Sequence, residues 1–330
     1  MWKFIGEKLN ERPEQYIFDS DTEITYKELH NICVEHGEIL KEKIPAGSKC
    51  AILCGSGINS IIALLSCFYS GLVTVPMSLN YGEEHCRKII ETVSPDILIT
   101  DTADISLLET KYILTLKQFF NTDGIKNNNE ALLQDVAAIM CTSGTTGKPK
   151  GAMITGNALK ENVKKISGYF RITENDIIII ARPIYHCAVL TGEVLTSIYN
   201  GCNIYFFDDK YNPIKIAHCL KERRISVMCG TPTLLNYISD HLIKRKILHS
   251  VRKIALSGEC LTKEFALNIR KAFPDAEIYN VYGLTEAAPR VTYLPPKDFD
   301  RKCESVGIPL DGIIIKIVDS VTRAELPANT

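Results

Sequence analysis

Residues 136–155 read VAAIMCTSGTTGKPKGAMIT. An apolar run begins near Val136 and predicts a strand, a loop rich in glycine, threonine and lysine follows, and GAMIT predicts a returning strand. Most loops of this composition are solvent-exposed turns, but the glycines here let backbone N–H groups converge on phosphate oxygens. The hydroxyl groups and lysines of the loop add donors and positive charge. The stretch therefore predicts a strand–loop–strand hairpin that binds a nucleotide.

Strands and helices alternate on both sides of this hairpin. Short apolar segments such as LVTVPMS (72–78) and DIIIIARP (176–183) predict buried strands, and SIIALLSCFYSG (60–71) and GNALKENVKKISGYF (156–170) predict helices. The lone segment GIIIKIVDS (312–320) predicts a β-rich region near the end. This alternation indicates an α/β fold in which helices cover parallel sheets.

The loop is not a P-loop of the Walker A type. That motif requires G-x-x-x-x-G-K followed by Ser or Thr. Counting back from Gly147 places Thr142 where the first glycine is needed, and Pro149 follows Lys148. Two mismatches exclude the P-loop NTPases.

Three other segments place polar residues just after predicted strands. They are IYNVYGLTEAAP (278–289), RPIYHCAVL (182–190) and LSGECLTKEF (256–265). The carboxyl ends of parallel strands are where α/β folds bind ligands, and the carboxylate of Glu286 suits a hard cation such as Mg²⁺. Taken singly, each segment also fits an ordinary turn, and a lone histidine such as His186 is more often structural.

Together these segments resemble the adenylate-forming superfamily, which contains acyl- and aryl-CoA synthetases, peptide-synthetase adenylation domains and luciferases. TSGTTGKPKG (142–151) resembles its phosphate loop, and the later motifs follow in the family's order over essentially the whole chain. The resemblance implies two flavodoxin-like parallel-sheet subdomains covered by helices, followed by the start of a β-barrel subdomain. We expect a large AMP-binding lobe over 1–300, divided into 50–170 and 1–48 plus 177–300, with a β-rich start at 301–330.

The resemblance also implies roles for individual residues. His186, Thr285, Glu286 and Lys148 are the expected catalytic residues, with His186 beside the carboxylate substrate, Thr285 on the α-phosphate and Glu286 on Mg²⁺. Tyr282 is expected to pack on adenine. The remaining expected nucleotide- and pocket-binding residues are Thr142, Ser143, Gly144, Thr145, Thr146, Gly147, Lys150, Gly258, Glu259, Cys260 and Gly283.

The reaction that the resemblance implies has two steps. A carboxylate attacks the α-phosphate of ATP bound with Mg²⁺, and a thiol of coenzyme A or of a carrier protein's phosphopantetheine then accepts the acyl group. Amino-acid-activating relatives use an Asp to pair the substrate ammonium, whereas this chain has Tyr185-His186-Cys187-Ala188 at that place. Because a buried unpaired ammonium is costly, an acyl or aryl acid is favoured. Val189 stands where the family frequently has glycine, so the resemblance does not determine the shape of the pocket at this position.

Two alternatives stay open. One is an amino-acid adenylation domain of a peptide synthetase, and the other is a non-catalytic nucleotide-binding homologue. The family pattern also continues past residue 330, with a ribose-binding Asp and a mobile C-terminal lobe whose Lys bridges substrate and α-phosphate. Because in-line attack requires these groups, we expect a truncated lobe that adenylates weakly or not at all on its own.

Composition narrows the class of protein. The 330 residues carry a formal charge of -1, which provides no basic field for nucleic acid. No apolar run approaches the roughly 18 residues of a membrane span, and the N-terminus lacks the apolar core of a signal peptide. The 12 cysteines include no C-x-x-C pair. These features predict buried, reduced thiols in a cytoplasmic protein.

Overall fold

A computed structural model describes residues 1–55, 57–78, 82–101, 113–115 (backbone only), 133, 135–142, 149–207 and 212–327. The strands are β1 (Tyr16–Phe18), β2 (Glu23–Thr25), β3 (Lys49–Leu53), β4 (Val73–Pro76), β5 (Ile97–Thr100), β6 (Ile113–Thr115), β7 (Val136–Thr142), β8 (Lys150–Thr155), β9 (Ile177–Ile180), β10 (Asn203–Phe206), β11 (Val227–Gly230), β12 (Lys253–Leu256), β13 (Glu277–Gly283), β14 (Arg290–Leu294) and β15 (Ile308–Pro309).

Helices connect most of these strands, and a π-helix (Leu190–Leu195) lies between two short α-helices. The α-helices are α1 (Trp2–Glu11), α2 (Tyr26–Lys43), α3 (Gly57–Ser70), α4 (Glu83–Val93), α5 (Gly156–Phe170), α6 (Cys187–Val189), α7 (Thr196–Asn200), α8 (Pro213–Glu222), α9 (Pro232–Arg245), α10 (Lys263–Ala272) and α11 (Pro296–Lys302).

The strands form two sheets. One has the order β6-β5-β3-β4-β7-β8, in which only the β7–β8 hairpin is antiparallel. The other has the order β15-β14-β13-β12-β11-β9-β10-β1-β2 and is parallel from β1 to β13. Its edge strands β2, β14 and β15 are antiparallel. The predicted α/β class, with parallel sheets covered by helices, is confirmed.

The N-terminal residues join the later sheet. Ile17 of β1 pairs with Ile204 of β10. Next to this pair, the Asn203 side chain accepts the Tyr16 N–H, although these two residues are 187 positions apart in the sequence. Residues 49–155 supply all described strands of the other sheet. The division into subdomains at 1–48 plus 177–300 and 50–170 stays a prediction.

The largest apolar core lies between the two sheets. Buried side chains of α1, α2, α3, α5 and the π-helix fill it, and both sheets contribute residues such as Ile52 and Ile178. A second core lies under α8, α9 and α10 on the outer face of the later sheet, and a third lies under α4. Strands buried on both faces account for continuous apolar runs such as Ile177–Ile180.

The segment 312–320, predicted to be β-rich, forms no continuous strand. In the described part of this segment the structure has one isolated bridge, Val318 with Glu325, and Ile314 and Ile317 are exposed. A strand is held by hydrogen bonds to a neighbouring strand. Within the described residues such bonds form only at the end of the segment, where the Asp319 N–H donates to the Ala324 carbonyl oxygen and the Leu326 N–H to the Ile317 carbonyl oxygen. The prediction of a β-barrel start at 301–330 is not tested by this observation.

Within the described ranges, no helix combines the length and the apolar character that crossing a membrane requires.

Candidate functional site

A central cavity of about 320 Å³ lies where both sheets present strand ends. Met140 and Cys141 at the end of β7 line one side, and residues between Arg182 and Ala188, after β9, line another. Ser257 and Gly258 after β12 and residues 283–285 after β13 complete most of the wall. All four sequence segments singled out above therefore contribute described residues to one place, as expected for carboxyl ends of parallel strands.

The described end of strand β7, in the β7–β8 hairpin, lies at this cavity. Thr142 pairs with Lys150 across the hairpin, and the Thr142 hydroxyl lies 3.5 Å from the Lys150 carbonyl oxygen. The loop residues Ser143, Gly144, Thr145, Thr146, Gly147 and Lys148 lie outside the described residues. Since Met140 and Cys141 belong to the cavity wall, the hairpin end is beside the cavity.

The acidic turn after β13 lies next to the same hairpin. Thr285–Ala287 form a 3₁₀ turn, and its Cα atoms come within 8 Å of those of β8. Gly283 is required by close packing, because a Cβ there would lie 2.0 Å from the Pro289 carbonyl oxygen. The Leu284 N–H donates to that same oxygen at 2.8 Å. The backbone thus turns sharply and directs Thr285 to the cavity wall.

Tyr282 and Glu286 lie at the edge of this turn. Tyr282 is 43% exposed, and neither residue belongs to the cavity wall among the described residues. Glu286 is also exposed, and it has no hydrogen bond or ion pair within the described part of the chain. Burial and, to a smaller extent, the negative charge of Glu286 raise the pKa of the cavity residue Cys187 to about 12. Glu286 therefore acts electrostatically on the cavity although it does not line it.

His186 lies in the cavity wall after the break at Pro183. Its carbonyl oxygen accepts the N–H groups of Val189 and Leu190, which fixes it at the start of α6. The side chain is exposed on one side and contacts the Tyr185 ring, with 4.4 Å between ring centroids. Partial burial, followed by the positive charge of Arg182, lowers the pKa of His186 to about 4. The imidazole is consequently neutral at physiological pH.

We expect the His186 imidazole to stay neutral down to about pH 4. Because this pKa lies below the ordinary value of 6.5, the unfolded chain binds the proton more tightly, and acidification from pH 6.5 towards pH 4 destabilises the folded state. An NMR titration of ¹³C-labelled histidine rings, assigned with His186→Gln, measures this directly. A pKa near 6.5 for the signal lost in His186→Gln would contradict the prediction.

The segment after β12 contributes one of its three predicted residues to the cavity wall. Gly258 lines the cavity with a φ of +96°, a conformation that favours glycine. Glu259 accepts hydrogen bonds from the Thr233 N–H and hydroxyl, at 3.2 and 2.6 Å, and so holds the start of α9. Cys260 is exposed. Binding roles for Glu259 and Cys260 stay predictions.

Sequence reasoning missed a buried charge cluster behind the cavity wall. The Arg182 guanidinium forms an ion pair with Glu193, and their side chains are 7% and 0% exposed. Arg182 Nη1 also donates to the Ser257 hydroxyl at 3.3 Å. Arg182 is the first residue of the segment RPIYHCAVL (182–190), and Glu193 is an isolated charge in the apolar run VLTGEVL (189–195). Because a buried charge requires a partner, the isolated charge of Glu193 in this apolar run was the sequence signal that could have predicted a buried ion pair.

Arg290 completes this cluster. It is 1% exposed, lines the cavity, and donates from Nη1 to the Tyr169 hydroxyl at 2.5 Å. The π-helix makes room for it at Gly192, where a Cβ would lie 2.8 Å from the guanidinium Nε and Nη2 atoms. Such local widening of a helix is frequent at functional sites. Two guanidinium groups line the cavity and one carboxylate, Glu193, lies buried behind its wall, which leaves a net positive charge at this place.

Comparison with known proteins decides the family. The sequence profile described as AMP-binding enzyme matches residues 6–330. This chain belongs to the AMP-binding enzyme family. The adenylate-forming resemblance of its motifs is thereby confirmed at the family level.

Individual relatives are distant but cover most of the chain. Bacitracin synthase 2 of Bacillus licheniformis is 24% identical in an alignment of 342 positions, which covers 98% of this chain and 12% of that protein. The D-alanine–D-alanyl carrier protein ligase of Bacillus cytotoxicus is 26% identical over 298 residues, covering 86% of this chain and 58% of that protein. The chain therefore spans only part of the length of these relatives.

A solved structure supports the fold. The o-succinylbenzoate coenzyme A synthetase of Bacillus subtilis, in complex with AMP, superposes with a TM-score of 0.82 at 22% identity. The superposition covers 98% of this chain and 84% of that one.

The residues of this AMP-binding family member fit a magnesium ion that is coordinated mainly by the phosphates of a bound nucleotide. Among the residues that the structure describes, no three His, Cys, Asp or Glu side chains are grouped into a metal site. Mg²⁺ is usually held through one or two carboxylates and substrate phosphates, with waters completing its coordination. The exposed Glu286 carboxylate, without a described partner, suits that arrangement.

Proposed function

We propose that the protein carrying this chain is an ATP-dependent ligase that activates a carboxylic acid as acyl-AMP and transfers the acyl group to a thiol. The main observation in support is that the β7–β8 hairpin, the segment after β9 and the turn after β13 come together at one cavity. Family membership supports an adenylating reaction at this place. The cavity, at about 320 Å³, is large enough to hold a small carboxylic acid.

The nucleotide is placed along the hairpin and the acidic turn. Residues 142–148 and Lys150 are proposed to hold the β- and γ-phosphates through backbone N–H groups, hydroxyl groups and lysines. Thr285, half-buried in the cavity wall, is proposed to donate to the α-phosphate. Tyr282, with its exposed ring, is proposed to pack on adenine. Gly258 and Gly283, which both line the cavity, are proposed to contact the ligand through their backbone.

Glu286 is proposed to hold the magnesium ion that accompanies ATP. When bound, this ion neutralises charge on the phosphates as pyrophosphate leaves. The turn that carries Glu286 also carries Thr285, so the metal ligand and the α-phosphate donor move as one unit.

His186 is proposed to orient the acid. A neutral imidazole can donate one hydrogen bond to a carboxylate oxygen without adding a charge that would weaken the nucleophile. Arg182 and Arg290 in the wall, with Glu193 behind it, carry a net positive charge that attracts a carboxylate from a short distance. Both effects favour an ionised acid that is held in place for in-line attack.

The acid is proposed to be an acyl or aryl acid. No Asp or Glu belongs to the cavity wall among the described residues. Glu193, the nearest carboxylate behind the wall, is fully buried and engaged with Arg182. A substrate ammonium would therefore lie unpaired beside two guanidinium groups, which is unfavourable.

The acceptor thiol is proposed to belong to coenzyme A or to a carrier protein. Similar proteins include a coenzyme A synthetase and a carrier protein ligase. All 12 cysteines are free thiols, which fits a protein of the reducing cytoplasm.

A screen of acids with the natural full-length protein tests the proposal. We expect pyrophosphate release that depends on both ATP and an acyl or aryl acid, measured with a pyrophosphatase-coupled assay. Isothermal calorimetry with ATP, AMP and each acid runs in parallel. Absence of release with every acid, together with measurable ATP binding, would favour a non-catalytic nucleotide-binding protein and overturn the proposal.

A second candidate is an amino-acid adenylation domain. The similarity to bacitracin synthase 2 and to a D-alanine–D-alanyl carrier protein ligase favours it. The same screen decides between them, because amino acids would then replace acyl and aryl acids as the active substrates.

A further inference from the structure

The two parts of the proposed nucleotide site lie on different sheets. The β7–β8 hairpin belongs to one sheet, and the acidic turn with Thr285 and Glu286 follows β13 of the other. A ligand that contacts both parts requires a fixed spacing between them. None of the residues placed on ATP sets that spacing, because each of them belongs to one part alone.

Helix α5 leads from the hairpin into the core between the sheets. It begins at Gly156, directly after β8, and the Thr155 side chain caps it by accepting the Ala158 N–H at 3.1 Å. Its residues Val163 and Ile166 are fully buried in the largest core. A helix that is capped and packed in this way is held in place relative to the hairpin that precedes it.

Asn162 joins this helix to the end of the acidic turn. Its Nδ2 atom donates to the Arg290 carbonyl oxygen at 2.9 Å, and its Oδ1 atom accepts the Arg290 N–H at 3.3 Å. Asn162 is 6% exposed, and the two residues are 128 positions apart in the sequence. One side-chain amide thus pairs with both backbone groups of Arg290, as a residue of a neighbouring strand would.

Arg290 directly follows the point at which the acidic turn closes. The Leu284 N–H donates to the Pro289 carbonyl oxygen at 2.8 Å, which holds the two ends of the turn together. Thr285 and Glu286 lie between these ends. Because Asn162 binds the main chain next to this closure, it fixes the position of the whole turn relative to α5.

The contact requires an amide at position 162. Arg290 is 1% exposed, and a buried N–H and a buried carbonyl oxygen each need a partner. An amide side chain supplies one acceptor and one donor. A carboxylate there would set a second acceptor against the Arg290 carbonyl oxygen, and an alkyl side chain would leave both backbone groups unpaired. Either change releases the acidic turn from α5.

We propose that Asn162 is a positioning residue that sets the spacing between the β7–β8 hairpin and the acidic turn, so that one ATP with its Mg²⁺ contacts both. This proposal rests on the proposed function of these two elements. Asn162 is not itself placed on the nucleotide or the acid, and it acts through the backbone of Arg290. Its loss leaves each element able to bind its own part of the nucleotide and shifts one element against the other.

Three ligands that differ in the parts they contact test this spacing in the natural full-length protein. AMP is expected to contact the acidic turn through Tyr282 and Thr285, pyrophosphate is expected to contact the hairpin, and ATP spans both. Isothermal calorimetry in the presence of Mg²⁺ gives the dissociation constants for wild type, Asn162→Leu and Asn162→Asp. Leucine has a similar volume but neither donor nor acceptor, whereas aspartate keeps the shape and loses the donor.

We expect both variants to bind ATP at least about tenfold more weakly than wild type and to bind AMP and pyrophosphate within about twofold of wild type. The gain from linking two contacts is lost when the geometry prevents both from forming at once. A general loss of stability would lower the amount of folded protein and leave the ratio of the ATP and AMP constants unchanged. If Asn162→Leu does not fold, Asn162→Asp decides.

Asn200→Leu is the matched control. The Asn200 side chain also makes two hydrogen bonds, since it accepts the hydroxyl of Ser167 on α5 at 2.6 Å and donates to the Thr196 carbonyl oxygen at 2.7 Å. These bonds hold the far end of α5 and do not involve the acidic turn. All three ligands should bind this variant within about twofold of wild type.

Unchanged ATP binding in both Asn162 variants would overturn the positioning role, and so would equal weakening of ATP and AMP. Absence of pyrophosphate release with every acid would instead refute the proposed ligase activity, while the binding ratios still decide the role of Asn162. A wild-type protein that binds neither ATP nor AMP would overturn both.

Discussion

Replacing Glu286 with Gln should lower acid-dependent pyrophosphate release by roughly a hundredfold or more, the range seen when one electrostatic stabiliser of a transition state is removed. The carboxylate is exposed beside the cavity and has no described partner, so its replacement leaves the fold intact. Glutamine keeps the shape and loses the charge that Mg²⁺ requires. The measurement is the kcat of the full-length protein at saturating ATP and acid.

Glu304→Gln provides the control for this experiment, because Glu304 is an exposed carboxylate that is not part of the cavity wall. Its kcat should stay within about twofold of wild type, since surface substitutions of this kind have small effects. Raising the concentration of Mg²⁺ should partly restore Glu286→Gln if the lost group is a metal ligand. An unchanged kcat in Glu286→Gln would remove the metal role from this residue.

Replacing Glu193 with Gln should lower the free energy of unfolding by about 3 kcal/mol or more, because it leaves the buried Arg182 guanidinium without a counter-charge. The side chains of the pair are 0% and 7% exposed, so water cannot compensate for the loss. Arg290 lines the same cavity and would also lose the nearby negative charge of Glu193. Urea denaturation, followed by tryptophan fluorescence and circular dichroism, measures the change.

Glu161→Gln is the matched control for Glu193→Gln. Glu161 also forms an ion pair, with Lys164, but the two side chains are 58% and 50% exposed. Loss of such a surface pair should change stability by less than about 1 kcal/mol. The double substitution of Arg182 and Glu193 by Met should recover much of the loss, since apolar side chains can replace a buried ion pair. Similar small changes at positions 193 and 161 would contradict the prediction.

Much of the local structure could be predicted from the sequence. The apolar run at 177–180 and the break at Pro183 gave the strand β9, and Thr262 caps α10 through the Phe265 N–H, as expected of a threonine before a helix. Pro213 occupies the first turn of α8. The β-rich prediction for 312–320 corresponds to one antiparallel bridge, Val318 with Glu325, because β-propensity does not show how long a partner segment is.

The candidate site was predicted only in part. Glycine and polar residues after strands revealed the hairpin and the acidic turn, since those positions have local backbone and strand-end requirements. Arg182 and Arg290 were missed, although both line the cavity. The sequence shows each of them only as a charged residue next to apolar residues. This pattern does not show which residue the charge pairs with.

By itself, the sequence determined the alternation of strands and helices, the order of the motifs and their family, because these depend on residue spacing along a short stretch of chain. Only the tertiary structure decided how charges pair behind the cavity. Arg182 meets Ser257, which is 75 residues away, and Arg290 meets Tyr169, which is 121 residues away. Long-range packing fixes such contacts, and no local pattern encodes which buried guanidinium finds which acceptor. That packing also sets where the cavity ends.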